Sequence, residues 1–157
     1  MIILGIDPGT ATTGFGVVKK ERQQITCLDF GVIKTSPKQL AGQRLEIIYQ
    51  QLSALLKKYH PSVLAVEKLF FFKNLKTALP VSEARGVILL LASQKNLAVI
   101  EFTPLQVKTG LCGYGRAEKK QVQKMAQQVL GLKKPPRPDD AADALALAIC
   151  CCYFHKP

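Results

Sequence analysis

Three stretches of strand character crowd into the first 34 residues, and that crowding sets the fold. Ile2–Asp7, Gly14–Lys19 and about Ile25–Lys34 are separated only by Pro8-Gly9-Thr10 and by the polar Glu21-Arg22-Gln23-Gln24, both of which are turn chemistry. Strands this close in sequence form an antiparallel meander. Then the rhythm changes. Ser36-Pro37-Lys38-Gln39 reads as a capping box with proline at the first helical position. It opens a helix whose Leu45, Ile48, Leu52, Leu55, Leu56 and Tyr59 follow helical spacing. His60-Pro61 breaks it, and Val63–Glu67 is an apolar run suited to a central parallel strand.

A second helix is expected from near Ser82, carrying Val87, Ile88 and Leu91, followed by a strand at Leu97–Phe102. Thr103-Pro104 opens a short helix, and the glycine-rich segment 110–115 is a flexible link. Ala117–Leu130 repeats Val122, Met125, Ala126 and Val129 before Gly131 stops it. Lys133–Pro138 is a stiff basic linker into a last helix, Asp139 to about Tyr153. Three meander strands followed by alternating helices and strands predict an α/β fold, a five-stranded mixed sheet with helices on its faces. With 157 residues, 48% of them hydrophobic, residues 1–157 are expected to form a single domain.

Lys and Arg number 22 against 11 Asp and Glu, a formal charge of +11 that favours polyanionic partners. No apolar run approaches the roughly 20 residues of a membrane span. Met1-Ile2-Ile3 has no basic leader character, so the expected place is the cytoplasm with no membrane partner. Five cysteines, three of them consecutive at Cys150-Cys151-Cys152, give no disulfide framework. Helical neighbours point about 100° apart, so the triplet cannot face one ion. Small buried residues are the plainer reading. Neither His60 nor His155 neighbours a nucleophile.

Against this basic background four acids stand out. Asp7 ends the first apolar strand and Glu67 ends the fourth, while Asp140 and Asp143 lie i,i+3 on one face of the last helix. In a mixed sheet the first and fourth strands can lie side by side, bringing Asp7 and Glu67 to one edge. Asp7 alone could simply end a strand, and Asp139 or Asp140 could cap a helix. Glu67 after Val-Leu-Ala-Val, and Asp143 inside Ala-Ala-Asp-Ala-Leu, resist that reading, because a buried charge needs compensation. Clustered carboxylates repel and persist with cations bound. Hard oxygen donors suit Mg²⁺ or Mn²⁺. Two such ions about 3.5–4 Å apart can activate a water and stabilise a leaving 3′-oxygen. Asp139 is i,i+4 from Asp143, so spacing alone leaves it open as a ligand in place of Asp140; as first helix residue it also suits a cap.

Segment 108–137 holds Lys108, Arg116, Lys119, Lys120, Lys124, Lys133, Lys134 and Arg137 against the single acid Glu118. That concentration around a glycine-rich link suits phosphate tracking. The run Leu69-Phe70-Phe71-Phe72 lies between Lys68 and the pair Lys73 and Lys76, which suggests a ring exposed beside DNA. Such a ring can stack on an unpaired base. The apolar run Val87–Leu91 exceeds one helical face, so it is either wholly buried or part of a dimer interface.

In this order and spacing, Ile-Leu-Gly-Ile-Asp-Pro-Gly-Thr (3–10), Ala-Val-Glu (65–67), Phe70, Lys73-Asn74, Ala84-Arg85-Gly86, Gln106-Val107-Lys108, Ala117-Glu118-Lys119 and Asp-Ala-Ala-Asp-Ala-Leu-Ala (140–146) span nearly the whole chain. Together they resemble the RuvC family of bacterial Holliday-junction resolvases. The resemblance implies an RNase H-like fold, a homodimer and two Mg²⁺ per active site, with Mn²⁺ able to substitute. It implies paired, symmetric nicking of four-way junction DNA in recombination and repair, and association with the RuvAB branch-migration complex. It maps catalysis and metal binding onto Asp7, Glu67, Asp140 and Asp143, which chooses Asp140 over Asp139. It puts Lys108 and Lys119 near the scissile phosphate, with Lys119 catalytic through charge stabilisation. It makes Phe70 the wedge that opens the crossover. With Lys73, Lys76, Arg116 and Lys120 these complete the expected DNA-binding set.

Three other readings use parts of the same pattern. An RNase H-like nuclease acting on RNA or an RNA–DNA hybrid would need the same acids. A non-catalytic junction-binding protein would need none of them. An actin-like ATPase shares Gly5-Ile6-Asp7-Pro8-Gly9-Thr10 but requires a second such half, which this sequence lacks.

Overall fold

The structure, a computed structural model, describes residues 1–68 and 75–155, and of 75–77 the backbone alone. Its elements run β1 (Ile2–Asp7), β2 (Thr12–Glu21), β3 (Gln24–Lys34), α1 (Ala41–Tyr59), β4 (Val63–Glu67), α2 (Leu75–Gln94), β5 (Ala98–Phe102), α3 (Pro104–Cys112), α4 (Lys119–Val129) and α5 (Asp139–Phe154). The strands form one sheet in the order β3-β2-β1-β4-β5. The first three strands pair antiparallel as a meander, and β4 joins β1 and then β5 in parallel. The mixed sheet expected from strand spacing is therefore present.

Two helix starts differ from expectation by a turn or more, and α4 begins at Lys119, two residues after the expected Ala117, with Glu118 at its cap. Helix α1 begins at Ala41 and not at Ser36. The Ser36 signal makes half of its hydrogen bonds: the Ser36 N–H donates to Gln39 Oε1 at 2.9 Å, while the Gln39 N–H goes to the Ser36 carbonyl at 3.1 Å and not to its hydroxyl. They close a separate turn, and the helix proper starts where the Leu40 N–H donates to Gln43 Oε1 at 3.0 Å. Helix α2 begins at Leu75, ahead of Ser82, and carries Pro80 within it. Proline removes a helix donor, yet the helix runs through it, and the Pro80 carbonyl accepts the Thr10 hydroxyl.

The sheet separates two cores, as strand alternation requires. On one face Leu4, Ile6, Val17, Ile33, Leu64 and Val66 pack against Ile48, Leu52 and Leu56 of α1 and Ala84, Ile88 and Leu91 of α2. On the other, Ile3, Val18, Val63, Ala65 and Phe102 meet α3, α4 and α5. There the contact is made through backbone. A Cβ on Gly5 would lie 2.0 Å from the Ala144 carbonyl oxygen, and one on Gly14 would lie 2.0 Å from that of Asp140. A Cβ on Gly16 would lie 2.8 Å from Leu145. Only glycine admits a helix this close. In return α5 presents alanines and small thiols, buried from Ala144 through Cys152. Burial holds the Cys150 and Cys151 thiols up at about 12, so they serve as inert packing. Among the described residues, no helix is long and apolar enough to cross a membrane.

Candidate active site

The carboxylates gather because three elements end at one place. Alternation along β1 sends Leu4 and Ile6 to the α1 side and Ile3, Gly5 and Asp7 to the α5 side. The parallel register pairs Ile6 with Val66, so Glu67 follows beside Asp7 at the carboxyl ends of neighbouring strands. Sites in α/β sheets commonly lie outside these ends. Asp7 also faces Gly14 across β2, and Gly14 is the residue over which the Asp140 backbone passes. The glycine that lets α5 approach thus sets the acidic end of that helix over Asp7.

The electrostatics follow from that crowding. Burial, then the charges of Glu67, Asp143 and Asp140, push the Asp7 carboxyl up to about 8 against an opposing Lys119. Burial, then Asp143, raises Glu67. Burial also raises Asp143, although Lys119 donates to its Oδ2 at 2.9 Å. Burial alone would lower Lys119, but the hydrogen bond and charge of Asp143, then Asp139, hold its ammonium above the ordinary value. Three neighbouring carboxyls held above their normal range make this cluster a candidate functional site.

Asp139 does not cap the helix. Pro138 occupies the cap position, and no side chain bonds there. The Asp139 carboxylate accepts from Gln123 Nε2 at 3.0 Å and lies 3.5 Å from Lys119 Nζ and 3.6 Å from Arg137. The Gln123 bond, then Lys119, holds it below the usual range. It clamps α5 to α4 and exerts none of the charge that raises Asp7.

Among the described residues, no three His, Cys, Asp or Glu side chains converge closely enough to hold a metal ion as they stand. The donor set is nonetheless right in kind for a hard divalent cation: several carboxylates, partly buried and mutually repelling. An ion would relieve that repulsion and draw the oxygens inward.

Lys119 and Lys108 line one cleft of about 280 Å³ with Glu67, Asp143, Val107 and Leu147. Arg116 and Lys120 are exposed and make no ion pair with the described acids. Phe70 and Lys73 lie outside the described residues, as does the side chain of Lys76. Sequence reasoning missed the Gln123–Asp139 clamp, which carries no local signal. It also missed the Gly5, Gly14 and Gly16 seat for α5, although alternate glycines on one strand were visible.

Comparison with known proteins agrees with this geometry. The family described as crossover junction endodeoxyribonuclease RuvC matches residues 3–151. The chain is 52% identical over 149 residues to the crossover junction endodeoxyribonuclease RuvC of Fusobacterium nucleatum, covering 95% of this chain and 78% of the relative. It is 53% identical over 150 residues to that of Thermosipho melanesiensis, covering 96% of each. Thermus thermophilus RuvC, solved in complex with a Holliday junction substrate, superposes with a TM-score of 0.90 at 35% identity over 98% of this chain and 94% of that one. The fold is RNase H-like, and the chain belongs to the RuvC family of crossover junction endodeoxyribonucleases.

Proposed function

We propose that this protein resolves four-way DNA junctions by cutting two opposing strands, each at one copy of the carboxylate site. The observation that carries the reading is the coupled set of Asp7, Glu67, Asp140 and Asp143 at one sheet edge, in a chain of net charge +11. Asp7, Glu67, Asp140 and Asp143 would hold Mg²⁺, or Mn²⁺ in its place. Bound there, a pair of divalent cations supplies an activated water and stabilises the leaving 3′-oxygen.

The chain's own groups prepare the rest. Burial and mutual repulsion keep Asp7, Glu67 and Asp143 poor ionic partners for one another and ready to accept a cation. Lys119 sits on the rim, held by Asp143 and Asp139, where its ammonium can neutralise the scissile phosphate. Lys108 lines the same cleft and extends that positive wall. The aliphatic floor of Val107, Val122 and Leu147 excludes water behind the reacting phosphate. Phe70, Lys73 and Lys76 belong to this reading as the crossover wedge and its flanking phosphate contacts, and Arg116 and Lys120 as contacts to the junction arms.

Paired cutting requires two copies. Along α2, Leu79, Glu83, Gly86 and Leu90 form an exposed stripe at helical spacing. Leu79 is 70% and Leu90 54% exposed, and a Cβ on Gly86 would meet nothing. That face suits close approach by a second α2, and we assign the homodimer to it. A single nuclease domain over residues 1–157, a place in the cytoplasm and association with the RuvAB branch-migration complex complete the reading; RuvAB association rests on family membership alone.

The test compares a four-way junction, a linear duplex and an RNA–DNA hybrid, each with Mg²⁺ and with EDTA. Symmetric nicks in the junction, dependent on Mg²⁺, are expected. Faster cutting of the hybrid, or junction cutting in EDTA, would overturn the assignment.

A further inference from the structure

Three of the four carboxylates line two separate clefts, and the second has no role in the chemistry above. Glu67 and Asp143 line the Lys119 cleft. Asp140 instead lines a separate cleft of about 420 Å³, with Gly9, Thr10, Thr12, Val81 and Arg44. The two share no lining residue. We propose that Arg44 and the loop from Gly9 to Thr12 seat a DNA backbone phosphate flanking the scissile one, across the carboxylates from Lys119.

Arg44 is fixed to that loop. Its Nε donates to Thr35 Oγ1 at 2.8 Å. The Thr35 hydroxyl donates to the Thr10 carbonyl at 2.5 Å, and the Thr35 N–H to the Ala11 carbonyl at 3.1 Å. These bonds use one guanidinium nitrogen and orient the plane, leaving the two Nη atoms for a ligand. Among the described residues no carboxylate lies within ion-pair distance of Arg44, although Asp140 lines the same cleft. On the other flank Lys119 is held by Asp143 and Asp139, and Arg137 by Asp139.

The loop is tight and held in place. A Cβ on Gly9 would lie 2.2 Å from the Thr12 carbonyl oxygen, so the turn closes only with glycine there. The Thr10 hydroxyl donates to the Pro80 carbonyl and the Thr13 hydroxyl to the Gly9 carbonyl, which pins the loop on both sides. A pinned guanidinium beside a tight loop matches the bidentate geometry of a phosphate diester. The requirement is also electrostatic. Lys108 and Lys119 offer cationic contacts to a strand on one flank of the carboxylates, and Arg44 offers one on the other.

This inference rests on the junction-cutting reading, but its test separates the two. Junction affinity of the parent, Arg44→Gln and Arg44→Lys is measured in EDTA from 50 to 200 mM salt, with melting temperature as a control. Loss of one phosphate contact should reduce the slope of log K against log salt by about 0.9 in Arg44→Gln. Arg44→Lys, which keeps the charge, should retain the parental slope. Single-turnover cleavage with Mg²⁺ should fall about tenfold in Arg44→Gln. A parental salt slope in Arg44→Gln would overturn the proposal, as would a lowered melting temperature with the slope unchanged, which assigns Arg44 to holding the loop. If the parent cuts no junctions, the junction reading falls, and the same slopes on linear duplex still decide the role of Arg44.

Discussion

The two faces of the sheet are packed by opposite means. Towards α1 and α2 the sheet offers branched and long aliphatic side chains, and Ile48, Leu52 and Ile88 fill the space between layers. Towards α5 it offers Gly5, Gly14 and Gly16, and the helix answers with Ala144, Ala148 and its thiols. The first arrangement packs side chain on side chain and tolerates repacking. The second fixes the helix through backbone contact, where a displacement has no side chain to absorb it. The acids proposed as metal ligands are carried by the second. One face is built for stability and the other for position.

That contrast breaks most sharply at Asp7. Asp7→Asn should leave junction binding near parental, because binding rests on the basic surface, while Mg²⁺-dependent cleavage falls below detection. A gel-shift titration beside a single-turnover cleavage assay checks both halves, and parental cleavage would remove Asp7 from the site.

Gly14→Ala tests position directly. The added methyl would meet the Asp140 carbonyl oxygen at 2.0 Å, so the start of α5 must move. Cleavage should fall about 100-fold, as misplacement by about 1 Å can cause, for a stability loss of only about 1–3 kcal/mol. Leu52→Ala on the opposite face should do the reverse. Its side chain is 1% exposed, and truncation should cost about 2–5 kcal/mol with the cleavage rate of the folded protein unchanged. Chemical denaturation and cleavage well below the melting transition measure the pair. Equal effects of both variants on cleavage would dissolve the distinction.

The same contrast explains what the sequence disclosed. The three-strand meander was legible because turn chemistry leaves short connections little choice, and the acids stood out because Glu67 and Asp143 interrupt apolar runs. Spacing could not decide between Asp139 and Asp140, since i,i+3 and i,i+4 positions are both helical neighbours. The difference lies in a distant partner, Gln123 of α4, which binds Asp139. The start of α1 was misplaced by one turn because Ser36 and Gln39 satisfy each other locally, with or without a helix behind them. Arg44 was silent for a related reason: its tether, Thr35, and its cleft, Gly9 to Thr12, become neighbours only when β2 and β3 pair.

The last effect concerns the stability that position sacrifices. Asp7 in the folded protein holds its proton up to about 8, against an ordinary value of 3.8. Between those values the unfolded chain releases a proton that the folded one retains, so folding of the metal-free protein weakens as pH rises through that window. The contribution is intact below pH 3.8 and gone above about 8. Asp7→Asn removes this component. In EDTA the variant should therefore melt above the parent, by an amount that grows from pH 5 to pH 8, with each kcal/mol worth about 2–4 °C in a chain of this size. Saturating Mg²⁺ should reverse the order, because the ion stabilises only the protein that binds it. A melting difference independent of pH would mean that Asp7 is not held neutral by its neighbours, and that the carboxylate cluster is looser than its packing against α5 implies.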